Sequence, residues 1–430
     1  MSLKLVNDAE EHETFSWFYN VKQLPEVESL SLTRQFKEDD SENKLNFAFS
    51  CCHDEEGKPW VLPVVRIAEK VLANTTSLSK EYLHPLGYET FNNCAIQMLL
   101  GEESPSLIEN RAFAVQTISA TGGIRLAAEF LVDCLGLTTL YTTEETAKSV
   151  QLTFLKAGFL EYKEIRYLNP YTLSLDFDGL IKDLSEAKKY SVIFLQVSSH
   201  NPTGCDPNLQ QWEEIAEIIS NGKLFPIFFF AFQGFVSGDV NLDVAPIRIF
   251  EQMKIEFFCV QSFAFAFALY KERAGCLCVT VNNAKQVNPI KSQMLCLANS
   301  MYASPPSHGA RIVAFILGDR MLSESWRCSI RNIAERLKQM RSYLREELER
   351  LGALGTWSHI TNQQGIYCML GLNEIQVEHL KKHYHIYLLS NGRMNVSGLN
   401  MDNIQYVAKA IYDTLTVICP NFLVTNNVNI

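Results

Sequence analysis

Apolar and polar positions follow two rhythms along the chain. Between residues 190 and 281 short apolar runs alternate with helix-like stretches. Tyr190-Ser-Val-Ile-Phe-Leu-Gln-Val197 is apolar at most positions, which predicts a buried strand. It runs into Ser198-Ser-His-Asn-Pro-Thr-Gly204, a cluster of turn residues. A helix is expected from Pro207 to Ile219, stopped by Asn221-Gly222. Further strands are expected over Leu224 to Phe232, Ile255 to Gln261 and Gly275 to Val281. Strand, helix, strand alternation implies an α/β fold with a mainly parallel sheet covered by helices. Ligands of such sheets bind near the carboxyl ends of the strands.

The rhythm changes after about residue 320. Trp326, Ile330, Ile333, Leu337, Met340, Leu344 and Leu348 recur at three- and four-residue steps. That spacing predicts one apolar stripe on a long helix ending at Gly352, a face for ordinary packing rather than for a partner. A smaller α/β unit follows, with strands at Ile366 to Leu370 and Ile386 to Leu389 and a last helix near Met401 to Leu415. The Asn-rich stretch after Cys419 reads as a loose tail.

Composition narrows the function. The chain has 430 residues and a net charge of −10. An acidic surface repels phosphate backbones, which argues against nucleic acid, and no polybasic run suits an anionic membrane. No stretch reaches the length of an apolar bilayer span. The 12 cysteines include no Cys-x-x-Cys pair, and the first residues contain no apolar signal core. Both features point to a cytoplasmic protein with reduced thiols. His379 and His383 share a helix face, but nothing completes a metal site. Cys51 and Cys52 have only His53 as a basic neighbour and read as inert. His200 reads as structural.

One ordered set of motifs carries the chemistry. His200-Asn-Pro-Thr-Gly204 ends a strand. Ala231-Phe-Gln-Gly-Phe-Val-Ser-Gly238, Gln261-Ser-Phe, Leu269-Tyr-Lys-Glu-Arg273, Pro305-Pro-Ser-His-Gly-Ala-Arg311 and Gly392-Arg-Met-Asn-Val-Ser-Gly-Leu399 follow. Gly57-Lys-Pro-Trp-Val-Leu-Pro-Val-Val-Arg66, Glu81-Tyr-Leu and Ala120-Thr-Gly-Gly-Ile-Arg125 precede them. In order and spacing these resemble the aspartate aminotransferases, most of all the cytosolic form, from about residue 15 to about residue 416. The resemblance implies a fold-type I aminotransferase. Its large domain would span residues 60–325 and its small domain 15–59 with 326–416, with an arm at 1–14 and a tail at 417–430. It also implies pyridoxal phosphate as cofactor, a homodimer and a site built at the subunit interface.

Transamination needs a lysine to hold the cofactor, an acid at the pyridine nitrogen and donors around the phosphate. It also needs guanidinium forks for the substrate carboxylates and an aromatic residue on the ring. By resemblance, Ser262, Arg273 and the turn Ser119-Ala120-Thr121 match the phosphate cup. Tyr82 matches the tyrosine lent by the neighbouring subunit, Asn201 the partner of the ring hydroxyl, and Arg393 the clamp on the substrate α-carboxylate.

The chemical centre departs from the pattern. The family's Ser-Phe-Ser-Lys-Asn-Phe-Gly-Leu-Tyr is here Ser262-Phe-Ala-Phe-Ala-Phe-Ala-Leu-Tyr270. Phe265 stands at the lysine position, Phe229 at the acid and Phe232 at the tyrosine on the ring oxygen. Asn299 stands at the second arginine clamp, Ala147 at the stacking tryptophan and Ser50 at a loop glycine. Lys271 is six positions on, about 20 Å away if the segment is extended, and is no substitute. No catalytic set is intact, and the cofactor would not be held covalently. Three readings follow. The first is an aspartate aminotransferase-like pseudoenzyme with impaired transamination that keeps a small dicarboxylate or amino-acid pocket. The second is a residual enzyme using non-covalent pyridoxal phosphate for weak transamination or racemisation. The third is a partner subunit in a heterodimer with an active aminotransferase.

Overall fold

The computed structural model describes residues 16–49 and 51–418; the expected arm, Ser50 and residues after Ile418 lie outside it. Its largest sheet has seven strands. They are β1 (Ala112–Ile118), β2 (Thr139–Thr143), β3 (Glu161–Ile165), β4 (Val192–Gln196), β5 (Phe225–Phe230), β6 (Phe257–Ser262) and β7 (Ala274–Thr280). Their order is β1-β7-β6-β5-β4-β2-β3. β7 runs antiparallel to both neighbours, and every other pairing is parallel.

Connection length explains the one reversal. Parallel neighbours need a crossover, and antiparallel ones do not. The helix Leu209–Asn221 crosses between β4 and β5, and the helix Ala245–Gln252 between β5 and β6. Between β6 and β7 the chain makes only turns, so β7 folds straight back. Phe265 lies in those turns.

Both faces of the sheet are covered. β4, β6 and β7 are buried at every position, as continuous apolar runs require. On one face Phe228 packs edge-on against Phe250, with ring centroids 4.8 Å apart. On the other, Ile227 joins Val260 and Leu277 beneath the helix α1 (Ser119–Leu135). Phe229 is half-buried and packs against both clusters.

The expected stripe lies on α2 (Arg320–Arg350), where all seven of its residues are buried. Asp319 caps the helix by accepting from the amides of Met321 and Leu322. Trp326 ties it to the sheet: its Nε1 donates to the Ala266 carbonyl at 2.7 Å, and its ring stacks on Phe267 at 4.7 Å. The two ends of the described chain meet in a small sheet, where Leu45–Asn46 pairs with Ile386–Tyr387, and a second small sheet pairs Tyr367–Met369 with Arg393–Asn395 within the C-terminal part. The last helix runs from Ile404 to Ile418, past the expected boundary at 416.

Candidate active site

The topology gathers most of the expected residues at one edge of the sheet. Because β7 reverses between β1 and β6, the carboxyl ends of β1, β6, β5 and β4 all point the same way. Ser119 follows β1, Asn201 follows β4, Phe229 lies in β5 with Phe232 just after it, and Ser262 ends β6 with Phe265 just after it.

The phosphate-cup candidates come together. Ser262 lies opposite Gly275 in the β6–β7 register. A Cβ on Gly275 would lie 2.4 Å from the Ser119 carbonyl carbon, so only glycine lets the start of α1 sit against β7. The Ser119 amide donates to the Arg273 carbonyl at 2.6 Å. Ser119 and Ser262 are buried, and Thr121 and Arg273 are exposed at the mouth. A helix start with the Ser119, Thr121 and Ser262 hydroxyls close by is suited to a phosphate, and the backbone of Arg273 is tied to it through Ser119. Arg273 itself donates to the Tyr270 carbonyl at 3.3 Å.

Arg393 is 6% exposed. Its Nη1 donates to Asn201 Oδ1 at 3.0 Å and its Nη2 to the Ala48 carbonyl at 3.0 Å. Its guanidinium carbon lies 4.4 Å from the centre of the Tyr367 ring. Its Nε has no hydrogen-bond partner among the described residues. Asn201 is fixed in turn by Gln196. The Gln196 Nε2 donates to the Asn201 carbonyl at 2.8 Å, and the Asn201 amide donates to Gln196 Oε1 at 3.0 Å.

An aromatic chain links this arginine to the lysine position. Tyr367 meets Phe232 edge-on with centroids 5.7 Å apart, and Phe232 meets Phe265 at 4.6 Å. Phe265 then meets Tyr270 edge-on at 5.3 Å. The Tyr270 hydroxyl accepts the Cys52 amide at 2.7 Å, and burial pushes its pKa up. Among these contacts Phe265 brings no amine and Phe229 no carboxylate. The serines and the helix start would suit the phosphate of pyridoxal phosphate, whereas Phe265 offers no amine for its covalent attachment and Phe229 no carboxylate for its ring nitrogen.

Three candidates are exposed in the single chain. Tyr82 is 94% exposed, Asn299 lies exposed on the helix Val287–Tyr302, and Ala147 is exposed before the helix Lys148–Lys156. Lys271 is exposed too. The segment before it is turned rather than extended, because the Phe267 and Ala268 amides donate back to the Phe263 and Phe265 carbonyls. Lys271 is therefore nearer to Phe265 than the about 20 Å that an extended segment would span. His200 is fully buried and stacks on Tyr167 at 4.0 Å, and its Nδ1 lies 2.8 Å from the Thr203 hydroxyl. Burial lowers its pKa to about 3, so it stays neutral. Cys51 Sγ lies 3.7 Å from His53 Nε2, and burial raises the thiol pKa. His379 Nδ1 is bonded to the Thr414 hydroxyl at 3.0 Å. No group of three or more His, Cys, Asp or Glu could hold a metal ion among the described residues. Sequence reasoning missed Tyr367 and Gln196. Neither has a local signal, because each matters through a partner far away in the chain.

The comparisons with known proteins agree with one another. The family model for aminotransferase class I and II matches residues 42–411. The chain is 40% identical to the cytoplasmic aspartate aminotransferase of Caenorhabditis elegans, covering 94% of this chain and all of that protein. It is 39% identical to the cytoplasmic enzyme of Gallus gallus, over 94% of this chain and 99% of the other. Its fold is similar to the cytoplasmic aspartate aminotransferase of Saccharomyces cerevisiae, with a TM-score of 0.90, 32% identity and coverage of 93% and 99%. It is equally similar to a Burkholderia pseudomallei aromatic-amino-acid aminotransferase covalently bound to pyridoxal phosphate, with a TM-score of 0.90, 30% identity and coverage of 93% and 100%. With the sheet, the gathered motifs and these matches together, the chain belongs to the class I and II aminotransferases and has their fold-type I architecture.

Proposed function

We propose that this chain is an aspartate aminotransferase-like protein whose transamination is lost or strongly impaired, while its site keeps the means to hold a phosphate and one carboxylate. The observation that carries the reading is the packing of Phe265 against Phe232 and Tyr270, with Phe229 at the acid position. No amine stands there to form an imine, and no carboxylate to hold a pyridinium. Asn299 at the second clamp removes a guanidinium fork for dicarboxylates, a loss of about 2–5 kcal/mol if it is compared with a buried charge pair. Serine, helix start and Arg273 support non-covalent binding through the phosphate, and Arg393 supports binding of one carboxylate.

The reading divides the chain into a large domain over residues 60–325 and a small domain from both flanking parts. It places the protein in the cytoplasm, as the names of its cytoplasmic relatives suggest. No described helix is long and apolar enough to cross a membrane. A second reading, a subunit that pairs with a copy of itself or with an active aminotransferase, is favoured by Tyr82. A tyrosine 94% exposed beside Glu81 is placed to be lent to a neighbour.

The test is an absorption titration of purified protein with pyridoxal phosphate, then borohydride reduction and peptide mapping. The expected result is cofactor that is washed out, no trapped lysine, and weaker uptake by Arg273→Ala. A trapped lysine, or robust aspartate:2-oxoglutarate transamination, overturns the proposal. Weak turnover that is lost in Arg273→Ala would establish the residual enzyme instead. Mixed dimers on co-expression with an active aminotransferase would support the partner-subunit reading.

A further inference from the structure

A cavity of about 230 Å³ lies behind the site, between α2 and the loop from Thr361 to Gly365. Its wall carries two cations, Lys338 and Arg341, and no carboxylate. The rest of its polar wall is hydroxyl and amide, including Ser342, Asn362 and Gln364.

Arg341 is 3% exposed, and its contacts are neutral. Its Nη1 donates to the Ile360 carbonyl at 3.0 Å. Its Nη2 donates to the carbonyls of Gln364 at 3.2 Å, Gly365 at 3.0 Å and Tyr367. Its Nε has no hydrogen-bond partner among the described residues. The Cys368 side chain is also hydrogen-bonded to it, and the Cys205 thiol and the Asp206 carboxyl act on it electrostatically from other elements. Asp206 is already engaged, because its oxygens accept the Ser199 amide at 2.7 Å and the His200 amide at 2.9 Å. Arg341 makes no salt bridge with any described carboxylate. A buried full charge without a contacting counter-ion is costly, and the Nε–H that the carbonyls leave over, with Lys338 on the same wall, gives the cavity a cationic lining suited to an oxyanion.

We infer that this cavity binds a small oxyanion, a short carboxylate or inorganic phosphate, between Lys338 and Arg341. The occupant would bridge α2 to the loop that leads into Tyr367, and Tyr367 carries Arg393. The same loop is bonded to the turn after β4, where the Ile366 amide donates to the Ser199 hydroxyl at 3.1 Å. Binding would therefore brace the back of the candidate active site. The inference does not depend on the fate of the cofactor.

The test is isothermal titration calorimetry of the full chain with inorganic phosphate and, separately, with succinate, at fixed ionic strength. It uses Arg273→Ala as background and reads each anion as the part of the heat that Lys338→Glu removes, so that neither the phosphate cup nor Arg393 is counted. The expected result is saturable binding with a dissociation constant of about 1 mM. Lys338→Glu in that background should weaken it at least ten-fold with an unchanged thermal melt, since Lys338 is exposed on α2 and leaves the core untouched. Phosphate heat alone would assign an inorganic anion, succinate heat alone a carboxylate, and both the shared oxyanion chemistry. Equal affinity in Lys338→Glu, or no saturable heat with either anion, overturns the inference.

Discussion

Replacing Phe265 by lysine tests the aromatic packing directly. The ring is half-buried, 4.6 Å from Phe232 and 5.3 Å from Tyr270. Burying such a ring contributes about 1.5–3 kcal/mol, and partial exposure selects the lower end. The contact with Phe232 adds about 0.5–1.5 kcal/mol. A lysine stem recovers some of the apolar contact but sets an amine among rings. Phe265→Lys is therefore expected to cost about 2–3 kcal/mol at pH 7. Burial should also hold the new amine below its free pKa of about 10.4. Between those two values the unfolded chain binds more protons than the folded one, so the deficit should shrink as pH rises. Urea unfolding of parent and variant at pH 7 and pH 10 measures both effects. A variant as stable as its parent at pH 7, or a deficit that ignores pH, would refute the reasoning.

Three further outcomes are expected. Ala268 has a φ of 52° where the resemblance puts glycine, so Ala268→Gly should stabilise the fold by about 1 kcal/mol, read as a higher urea midpoint. Asp39 accepts the Ser41 amide at 2.9 Å, His385 Nδ1 at 2.7 Å and the Tyr387 hydroxyl at 2.8 Å, which hold its carboxyl at about 2. Its folded pKa is depressed, so its contribution is present above about pH 4 and is lost as pH falls through about 2; Asp39→Asn should flatten that limb of the stability profile. Burial lowers His200 to about 3, so the unfolded chain takes the proton first and stability should fall with acidification from about pH 6.5. His200→Gln should remove that slope in urea unfolding between pH 7 and pH 4.

The centre of the sheet is legible in the sequence because β4, β5, β6 and β7 are apolar runs buried on both faces. The far edge is not. β2 is Thr-Leu-Tyr-Thr-Thr, fully buried although four of its five side chains carry a hydroxyl, and its Thr142 hydroxyl meets the Tyr162 hydroxyl at 2.8 Å. β3 is Glu-Tyr-Lys-Glu-Ile, an edge strand whose charges face solvent and erase the apolar signal. The candidate site is legible where a family motif holds it in sequence, as at Ser262 to Arg273. It is not legible where the partner is distant. Nothing local marks Tyr367 as the ring between Phe232 and Arg393, or Gln196 as the side chain that holds Asn201.

The pattern of what is kept bears on what the site still does. Arg393 has a structural role without any substrate: it bonds Asn201 and the Ala48 carbonyl and lies on Tyr367. Its presence is therefore what a chain that binds nothing would also keep, because breaking a buried polar network leaves its members unpaired. The exposed Arg273 has a weaker structural claim, with one 3.3 Å bond to a carbonyl. The phenylalanines argue in the opposite direction. Phe265 and Phe232 stabilise each other, and Phe229 bridges both faces of the sheet, so restoring one polar group would set it among rings with no partner. Single reversions should lose stability before they gain chemistry. Arg273 is accordingly the more informative residue to test for phosphate binding, since packing alone gives little reason to retain it.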